Sequence, residues 1–438
     1  MTAPDSPALL LSLIFGAAVL AALLLKSWLA WRQMCAVARG RAAVPAQFAH
    51  AVTLHAHQRA ADYTAAKLRL GLLEQAFAAA VLLGWTLLGG LDALNGLLLA
   101  AIGTGHPMVQ PLALLTAFTL IGALLDLPFS LYHVFVLEQR FGFNKMSLRL
   151  WLSDLLMSAL LGASIGLPLA ALVLWLMDAA GPHWWLWVWC AWMAFSLLTM
   201  LIYPTLIAPL FNKFQPLADP ALEQRIAALL ARCGFAAKGV FVMDGSRRSA
   251  HANAYFTGLG AARRVVLFDT LLTQLEPAEI EAVLAHELGH FKRRHIAKRI
   301  VLIFALSLAL LALLGWLAGQ DWFYLGLGVT PNLPASLGGG TPNHALTLLL
   351  FMLAAPVFGF FLSPLMAYLS RRDEFEADAY AASHASAQDM AHALLKVHKD
   401  NANTLTPDSV YVRFYYSHPT VAERIARLSD AGHSASSV

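Results

Sequence analysis

Long apolar stretches recur along the 438-residue chain, and seven of them have the length of a membrane-spanning helix. A hydrocarbon core about 30 Å thick needs about 20 helical residues to cross it. The composition agrees, because 59% of the residues are hydrophobic and only 13% are charged. The pattern therefore predicts an α-helical integral membrane protein with seven transmembrane helices, at about residues 8–28, 70–91, 112–135, 152–177, 184–207, 299–319 and 345–369.

The basic residues all lie on one side of this membrane map. With the N-terminus outside, the outer segments contain no Lys or Arg, and all 30 basic residues lie in inner segments or at the inner ends of helices. This asymmetry is the positive-inside rule, and it accounts for the net charge of +4 without a nucleic-acid partner. The first apolar run has basic residues only after it, so it is predicted to be a retained anchor. The outer segments are 1–7, 92–111, 178–183 and 320–344.

Two inner segments, 208–298 and 370–438, are too long and too polar to be turns, so they are predicted to fold together in the cytoplasm. The chain then divides into an N-terminal membrane domain at 1–207, with five transmembrane helices, and a second domain at 208–438 that includes the last two. In the second domain the pattern predicts helices at 223–231 and 277–295, strands at 239–243 and 265–268, and a turn at Gly258 and Gly260 between paired strands.

One segment carries the pattern of a catalytic metal site. His286, Glu287 and His290 form a His-Glu-x-x-His motif in a predicted helix that begins with Pro277. Residues four apart lie on one helix face, so both imidazoles can bind one Zn²⁺ while Glu287 lies within reach of a water molecule there. Chance placement would give the motif only about 0.01 times in a chain of this composition. We therefore predict one zinc ion per chain, with Glu287 as catalytic base.

A catalytic zinc ion needs a third protein ligand. The best supplier is the acidic cluster at 373–378, where the last apolar stretch emerges on the same side of the membrane as the motif. Glu374 and Asp378 are four apart, so one can bind the metal while the other orients a ligating imidazole through its free ring nitrogen. Spacing alone does not say which carboxylate does which, and Asp373 with Glu376 meets half of the same requirement.

Other segments carry further recognisable patterns, at residues 137–145 followed by Asp154, at 207–217, at 249–258 and at 416–424. Together with the metal motif they resemble the type I CAAX prenyl endopeptidases, which are seven-span zinc metalloproteases, and their bacterial relatives. The resemblance covers most of the chain. It implies a seven-helix membrane region that encloses a chamber, with a cytoplasmic α+β zincin-type metalloprotease domain facing into it.

The resemblance also implies roles for single residues. Glu374 occupies the glutamate of the family's Glu-Phe-x-Ala-Asp pattern, which makes it the third metal ligand. Asp378 is then the carboxylate that contacts a metal ligand and not the metal itself. His418, in the Ser-His-Pro segment, is implied to stabilise the oxyanion, and Arg424 to support the site. The family's strand that pairs with substrate backbone corresponds to a segment whose implied substrate-binding residues are His251, Asn253, Ala254 and Tyr255.

Three functions follow as hypotheses. The first is endoproteolysis of the CAAX type, which removes the last three residues of prenylated proteins at the membrane face. The second is quality control, in which misfolded membrane proteins are the substrates and no prenyl group is needed. The third is a zinc-bearing membrane scaffold without turnover, which is disfavoured because Glu287 is needed only for chemistry. The expected partners are a peptide or protein substrate and the lipid bilayer, and the Ala/Leu-rich composition favours a bacterial inner membrane.

Overall fold

A computed structural model of the chain describes residues 6–103, 108–235, 239–257, 264–331 and 343–435. Within these residues, seven helical segments are long and apolar enough to cross a membrane. The predicted count of seven is therefore confirmed. The segments are Ser6–Gly40, Leu54–Trp85, Val109–Glu138, Leu148–Ala179, Gly181–Phe211, His295–Leu317 and His344–His384.

The α-helices are numbered here in chain order. Those of the membrane half and its exit are α1 Ser6–Gly40, α2 Leu54–Trp85, α3 Gly90–Ile102, α4 Val109–Tyr132, α5 Leu148–Ala179, α6 Trp184–Ile202 and α7 Ala208–Phe211. Those that follow are α8 Pro220–Arg232, α9 Asp269–Gln274, α10 Pro277–Lys292, α11 His295–Leu317, α12 Asp321–Gly326, α13 His344–Gly359, α14 Ser363–His384, α15 Ala387–Asp400, α16 Ser409–Tyr415 and α17 Val421–Ala435.

The helix boundaries differ from the apolar pattern in the second span. The prediction placed it at about 70–91, but α2 begins at Leu54 and ends at Trp85. It begins earlier because Thr53 caps a polar first half, with its side chain accepting a hydrogen bond from Ala56 N. It ends earlier because Gly89, at φ 74°, turns the chain into the short apolar helix α3, which the pattern did not predict.

The strands form one four-stranded sheet in the order β1-β2-β4-β3, in which β2 and β4 are parallel and both outer strands are antiparallel. The strands predicted at 239–243 and 265–268 are confirmed, and the turn at Gly258 and Gly260 lies outside the described residues. β1 was not predicted, since it is short and carries a proline, which only an edge strand tolerates. The bounds are β1 Phe214–Pro216, β2 Val240–Met243, β3 Ala254–Thr257 and β4 Arg264–Phe268.

Helix α10, which carries the metal motif, is the element against which α8, the sheet and α14 all pack. It begins as predicted, with Pro277 in its first turn and reciprocal hydrogen bonds of Glu276 and Glu279 that form a capping box. Its apolar face is fully buried against α8 and the sheet. On its other side it packs against α14, which brings the acidic cluster to the motif.

Helix α10 is shorter than predicted. The predicted helix ran to His295, whereas α10 ends at Lys292 and α11 begins at His295. The chain turns at Arg294, a non-glycine residue with φ 56° that precedes the first residue of α11. This left-handed conformation costs roughly 1–2 kcal/mol in an L-residue, so surrounding structure must stabilise it. No local sequence signal marks the break, because the residues around it are all compatible with a helix.

Gly289 is the point of closest approach between α10 and α14. A Cβ atom there would lie 2.9 Å from Ala377 Cα and 3.0 Å from Ala377 O, which are backbone atoms that cannot rotate away. We expect Gly289→Ala to destabilise the protein by about 1–3 kcal/mol, as overpacking does, measured as a lower unfolding temperature. Gly122→Ala is the control, since a Cβ meets nothing within 4 Å there. Equal unfolding temperatures for the two variants would contradict the close approach.

Candidate metal centre

Three side chains from two helices converge at the face where α10 meets α14. His286 and His290 come from α10, and Glu374 comes from α14; one ligand atom from each lies within 4.8 Å of the others. The two Nε2 atoms are 3.2 Å apart, and the Glu374 carboxylate oxygens lie 3.4 Å from His286 Nε2 and 3.3 Å from His290 Nε2. Ligands of a tetrahedral zinc ion, at about 2.0–2.1 Å from the metal, are about 3.3 Å apart. The triad therefore has the spacing of a tetrahedral site.

Two further observations show that this site fits a cation. Glu374 is buried, and among the described residues its Oε2 accepts no well-aligned hydrogen bond, since His286 Nε2 lies 3.4 Å away and Arg424 Nη1 3.7 Å away. A buried carboxylate oxygen without a donor is costly, and a metal ion would satisfy it. Burial lowers the pKa of His286, but the contacts of its ring with the Asp378 and Glu374 carboxylates more than offset this and raise the pKa to about 9. The carboxylates thus favour positive charge at this point.

Each imidazole is oriented through its other ring nitrogen. His286 Nδ1 lies 2.9 Å from Asp378 Oδ1, so its Nε2 is the atom left to face Glu374. Asp378 is held in turn by Arg424 of α17, which donates to both of its oxygens at 2.6 and 2.8 Å. Arg424 is itself buried and also lies 3.7 Å from Glu374 Oε2. The predicted residues Asp378 and Arg424 therefore lie directly behind the triad.

His295 is the orienting group that the sequence did not reveal. It is 3% exposed, and its Nδ1 lies 3.1 Å from His290 Nδ1. Its Nε2 lies 3.2 Å from Glu376 Oε2 and 3.7 Å from Asp373 Oδ1. The turn at Arg294 places the His295 side chain next to that of His290. The sequence signal that could have revealed His295 was the pair Asp373 and Glu376, whose carboxylates contact His295 and not the triad itself.

Glu287 and His418 lie beside the triad. Glu287 follows His286 in α10, and burial raises its pKa, although His286 and His290 lower it by less. His418 lies in the turn before α17, with its Nε2 3.3 Å from Glu374 Oε1 and its side chain 63% exposed. An accessible imidazole at this distance can reach a ligand that approaches the triad from solvent.

The predicted substrate-binding segment forms the outer strand of the sheet. Ala254 and Tyr255 belong to β3, which pairs with β4 on one side only and packs against α10. Asn253 precedes β3 and is exposed. His251 differs, because its Nδ1 lies 3.1 Å from Asn401 Oδ1 and its Nε2 lies 3.7 Å from Glu138 at the end of the third span. Both of its ring nitrogens therefore face protein groups.

The seven membrane-capable helices, the packed sheet domain and the His-Glu-x-x-His site define an integral-membrane metallopeptidase. A family model described as "CAAX prenyl protease N-terminal, five membrane helices" matches residues 33–213, and the model of peptidase family M48 matches residues 216–431. The chain belongs to the CAAX prenyl protease 1 family of M48 metallopeptidases. The resemblance inferred from its motifs is confirmed.

Individual relatives cover most of the chain. CAAX prenyl protease 1 of Saccharomyces cerevisiae is 35% identical over 343 residues, which are 76% of this chain and 75% of that protein. The human CAAX prenyl protease 1 homolog is 32% identical over 366 residues, with 75% of each chain covered. The crystal structure of S. mikatae Ste24p matches with a TM-score of 0.88 and 30% identity, over 95% of this chain and 99% of that one.

Proposed function

We propose that this metallopeptidase is a zinc endopeptidase that processes prenylated proteins at the CAAX C-terminus. The observation that carries the proposal is the triad of His286, His290 and Glu374, whose ligand atoms are 3.2–3.4 Å apart beside an outer strand, where the membrane helices meet the sheet domain. The yeast and human relatives are named CAAX prenyl protease 1, which supports the substrate class.

The proposed ligands of one zinc ion per chain are His286, His290 and Glu374. Two imidazoles and one carboxylate leave a fourth position open, as catalytic zinc sites require. Asp378 orients His286 and is held by Arg424. When bound, the zinc ion supplies Lewis acidity and makes water nucleophilic near neutral pH.

The remaining chemistry belongs to side chains beside the triad. Glu287 takes the proton of the attacking water and delivers it to the leaving amine. Its raised pKa suits this role, because a base that releases a proton again works best with a pKa near the working pH. His418 donates a hydrogen bond to the oxygen that becomes negative when the carbonyl is attacked.

An extended substrate would bind along the free edge of β3. The backbone of Ala254 faces this edge and would pair with the substrate, whereas the backbone of Tyr255 pairs with Val266 of β4, so that Tyr255 would contribute only its side chain. The exposed Asn253 side chain would add a polar contact. We propose that His251 acts on the substrate indirectly, by holding this segment in place. Asn401, which contacts His251, also lies 3.4 Å from the amide nitrogen of Ala252. Backbone pairing makes few demands on substrate sequence.

The same proposal includes a chamber between the spans. Only 6% of an apolar 18-residue stretch is buried in each of four spans, Leu54–Trp85, Val109–Glu138, Gly181–Phe211 and His295–Leu317. Close-packed helices would bury a larger share of their surface. The low burial supports helices arranged around an open interior, with lipid on their other face.

We also propose the topology and the domain division that the sequence predicts. The absence of Lys and Arg from the predicted outer segments supports an outer N-terminus and a cytoplasmic catalytic domain. A division after residue 207 is supported by the start of β1 at Phe214 and by the two family matches at 33–213 and 216–431. The Ala/Leu-rich composition favours a bacterial inner membrane, although the relatives named above are eukaryotic.

The substrate class is tested by comparing one CAAX peptide with and without a farnesyl group on its cysteine. We expect the farnesylated peptide to be cleaved with kcat/KM about 30-fold higher, since burying only three of its carbons gives about 2 kcal/mol. An unmodified, unfolded membrane segment is assayed in parallel, and Glu287→Gln protein is the blank. Equal cleavage of all three substrates would instead support the quality-control alternative.

The role of His295 is tested through metal affinity. We expect His295→Phe to weaken zinc binding by about 10–100-fold, because His290 loses the group that orients its ring. Competition with a chelator measures this without relying on activity. The control is His392→Phe, which changes an exposed histidine of α15. Unchanged affinity in the His295 variant would show that the 3.1 Å contact does not orient the ligand.

A further inference from the structure

A groove of 630 Å³ lies between the first turns of α11 and the N-terminal half of α14. α11 packs chiefly against α6 and α14 against α10, so the two helices leave space between them. Residues Phe414, Tyr415 and Ser417 form its third wall. The volume is within the roughly 300–1,000 Å³ of ligand sites. It will be called the α11–α14 groove.

The lining of the α11–α14 groove changes from basic to apolar along both helices. On α11, Lys298 and Arg299 come first, and the apolar pair Leu302 and Ile303 follows one turn further into the membrane. On α14, which runs the other way, the apolar residues include Met366, and the charged ones come last. The groove therefore has a charged end beside the catalytic domain and an apolar end toward the bilayer.

The charged end carries an excess of positive charge. It is lined by Lys298, Arg299 and Arg372 and by one carboxylate, Asp373, which faces His295 at 3.7 Å. Arg372 also forms an ion pair with Glu376, at 3.3 Å. Among the residues that the structure describes, no carboxylate lies within ion-pair distance of Lys298 or Arg299. Arg299 donates only to the Ser370 hydroxyl, at 3.3 Å.

The helix dipole of α11 adds to this excess. Lys298 and Arg299 are among the first five residues of α11, and its first turn contains no acidic residue. The N-terminus of a helix carries a partial positive charge, so cations near it are unfavourable and an anion is stabilised. The sequence thus places basic residues where the helix by itself disfavours them, at the mouth of a cavity.

We propose that the α11–α14 groove binds one anionic phospholipid, with its phosphate between Lys298, Arg299 and Arg372 and an acyl chain along the apolar wall. Basic pockets between transmembrane helices bind acidic headgroups in this way. A phospholipid is favoured over the prenyl chain of a substrate because an uncharged hydrocarbon would leave Lys298 and Arg299 without a counterion at ion-pair distance among the described residues. The site is separate from the triad and does not depend on the substrate class proposed above.

The experiment titrates delipidated wild-type protein with dioleoyl phosphatidylglycerol or dioleoyl phosphatidylcholine and counts bound lipids by native mass spectrometry. We expect one phosphatidylglycerol to bind at concentrations at which phosphatidylcholine does not. Lys298→Ala combined with Arg299→Ala should weaken this binding about 30-fold, the factor for two lost basic contacts. The matched control is Arg39→Ala combined with Arg149→Ala, which removes the same charge from the corresponding ends of α1 and α5.

An equal loss of binding in both double variants would overturn the proposal, since it would show attraction to surface charge alone. Two competitors test the rest of the assignment. If sn-glycerol 3-phosphate binds as tightly as the lipid, the acyl chain has no part. If N-acetyl-S-farnesyl cysteine methyl ester, which is uncharged, displaces the lipid, the groove is a prenyl site. Either result would contradict an anionic phospholipid. Unfolding temperatures verify folding, and Lys298→Gln alone replaces the double variant if that one unfolds.

Discussion

Glu287→Gln is expected to keep zinc at one ion per chain and to lose about 10²–10⁴-fold in kcat, the contribution of a positioned general base. Glutamine has nearly the same shape but cannot accept a proton. The three proposed ligands are unchanged, so metal content should remain that of the wild type. Zinc is measured by elemental analysis of the purified protein, and kcat with the farnesylated peptide.

The control for this variant is Glu223→Gln, the same change at an exposed position of α8. It should retain wild-type kcat and metal content. Activity close to wild type in Glu287→Gln would contradict the assignment of Glu287 as the catalytic base. Loss of zinc in the same variant would make Glu287 a ligand and would contradict the triad described above.

The second large effect is expected for Glu374→Gln, compared with Asp378→Asn. Glu374→Gln should lose zinc and with it all measurable hydrolysis, since a neutral amide is a poor zinc ligand and only two ligands remain. Asp378→Asn should weaken zinc affinity by about 10–100-fold, because the His286 ring is no longer held by a charged partner. The contrast tests which of the two carboxylates binds the metal and which orients His286, a question that their spacing left open.

Metal affinity is measured on the folded, monodisperse fraction of each variant. This fraction matters because Asp378→Asn removes the closest counter-charge of the buried Arg424, and an unbalanced buried charge destabilises a fold strongly. Full zinc binding in Glu374→Gln together with none in Asp378→Asn would reverse the proposed roles. Equal losses in both variants would mean that neither carboxylate has a separate role.

Much of the membrane architecture could be predicted from local signals. Each span is a run of apolar residues that must be helical in lipid, whatever its neighbours do, because every backbone group needs a hydrogen bond there. The start of α10 was equally local, since Pro277 has no amide hydrogen that needs a partner and the pair Glu276 and Glu279 satisfies two of the other first amide groups. Boundaries set by distant contacts, such as the turn at Arg294 that separates α10 from α11, were not predicted.

The sequence by itself determined the seven spans, their basic side and the helical spacing of His286, Glu287 and His290. These features depend on residue type and on separations of a few residues. Spacing left open which carboxylate completes the triad, and the family resemblance implied Glu374. The tertiary structure shows that the Glu374 carboxylate lies next to both Nε2 atoms, whereas Asp378 lies next to His286 Nδ1, and this placement depends on how α14 packs against α10. It also decided the place of His295 and Arg424, whose distances from the ligands depend on how separate helices pack and not on their spacing in the chain.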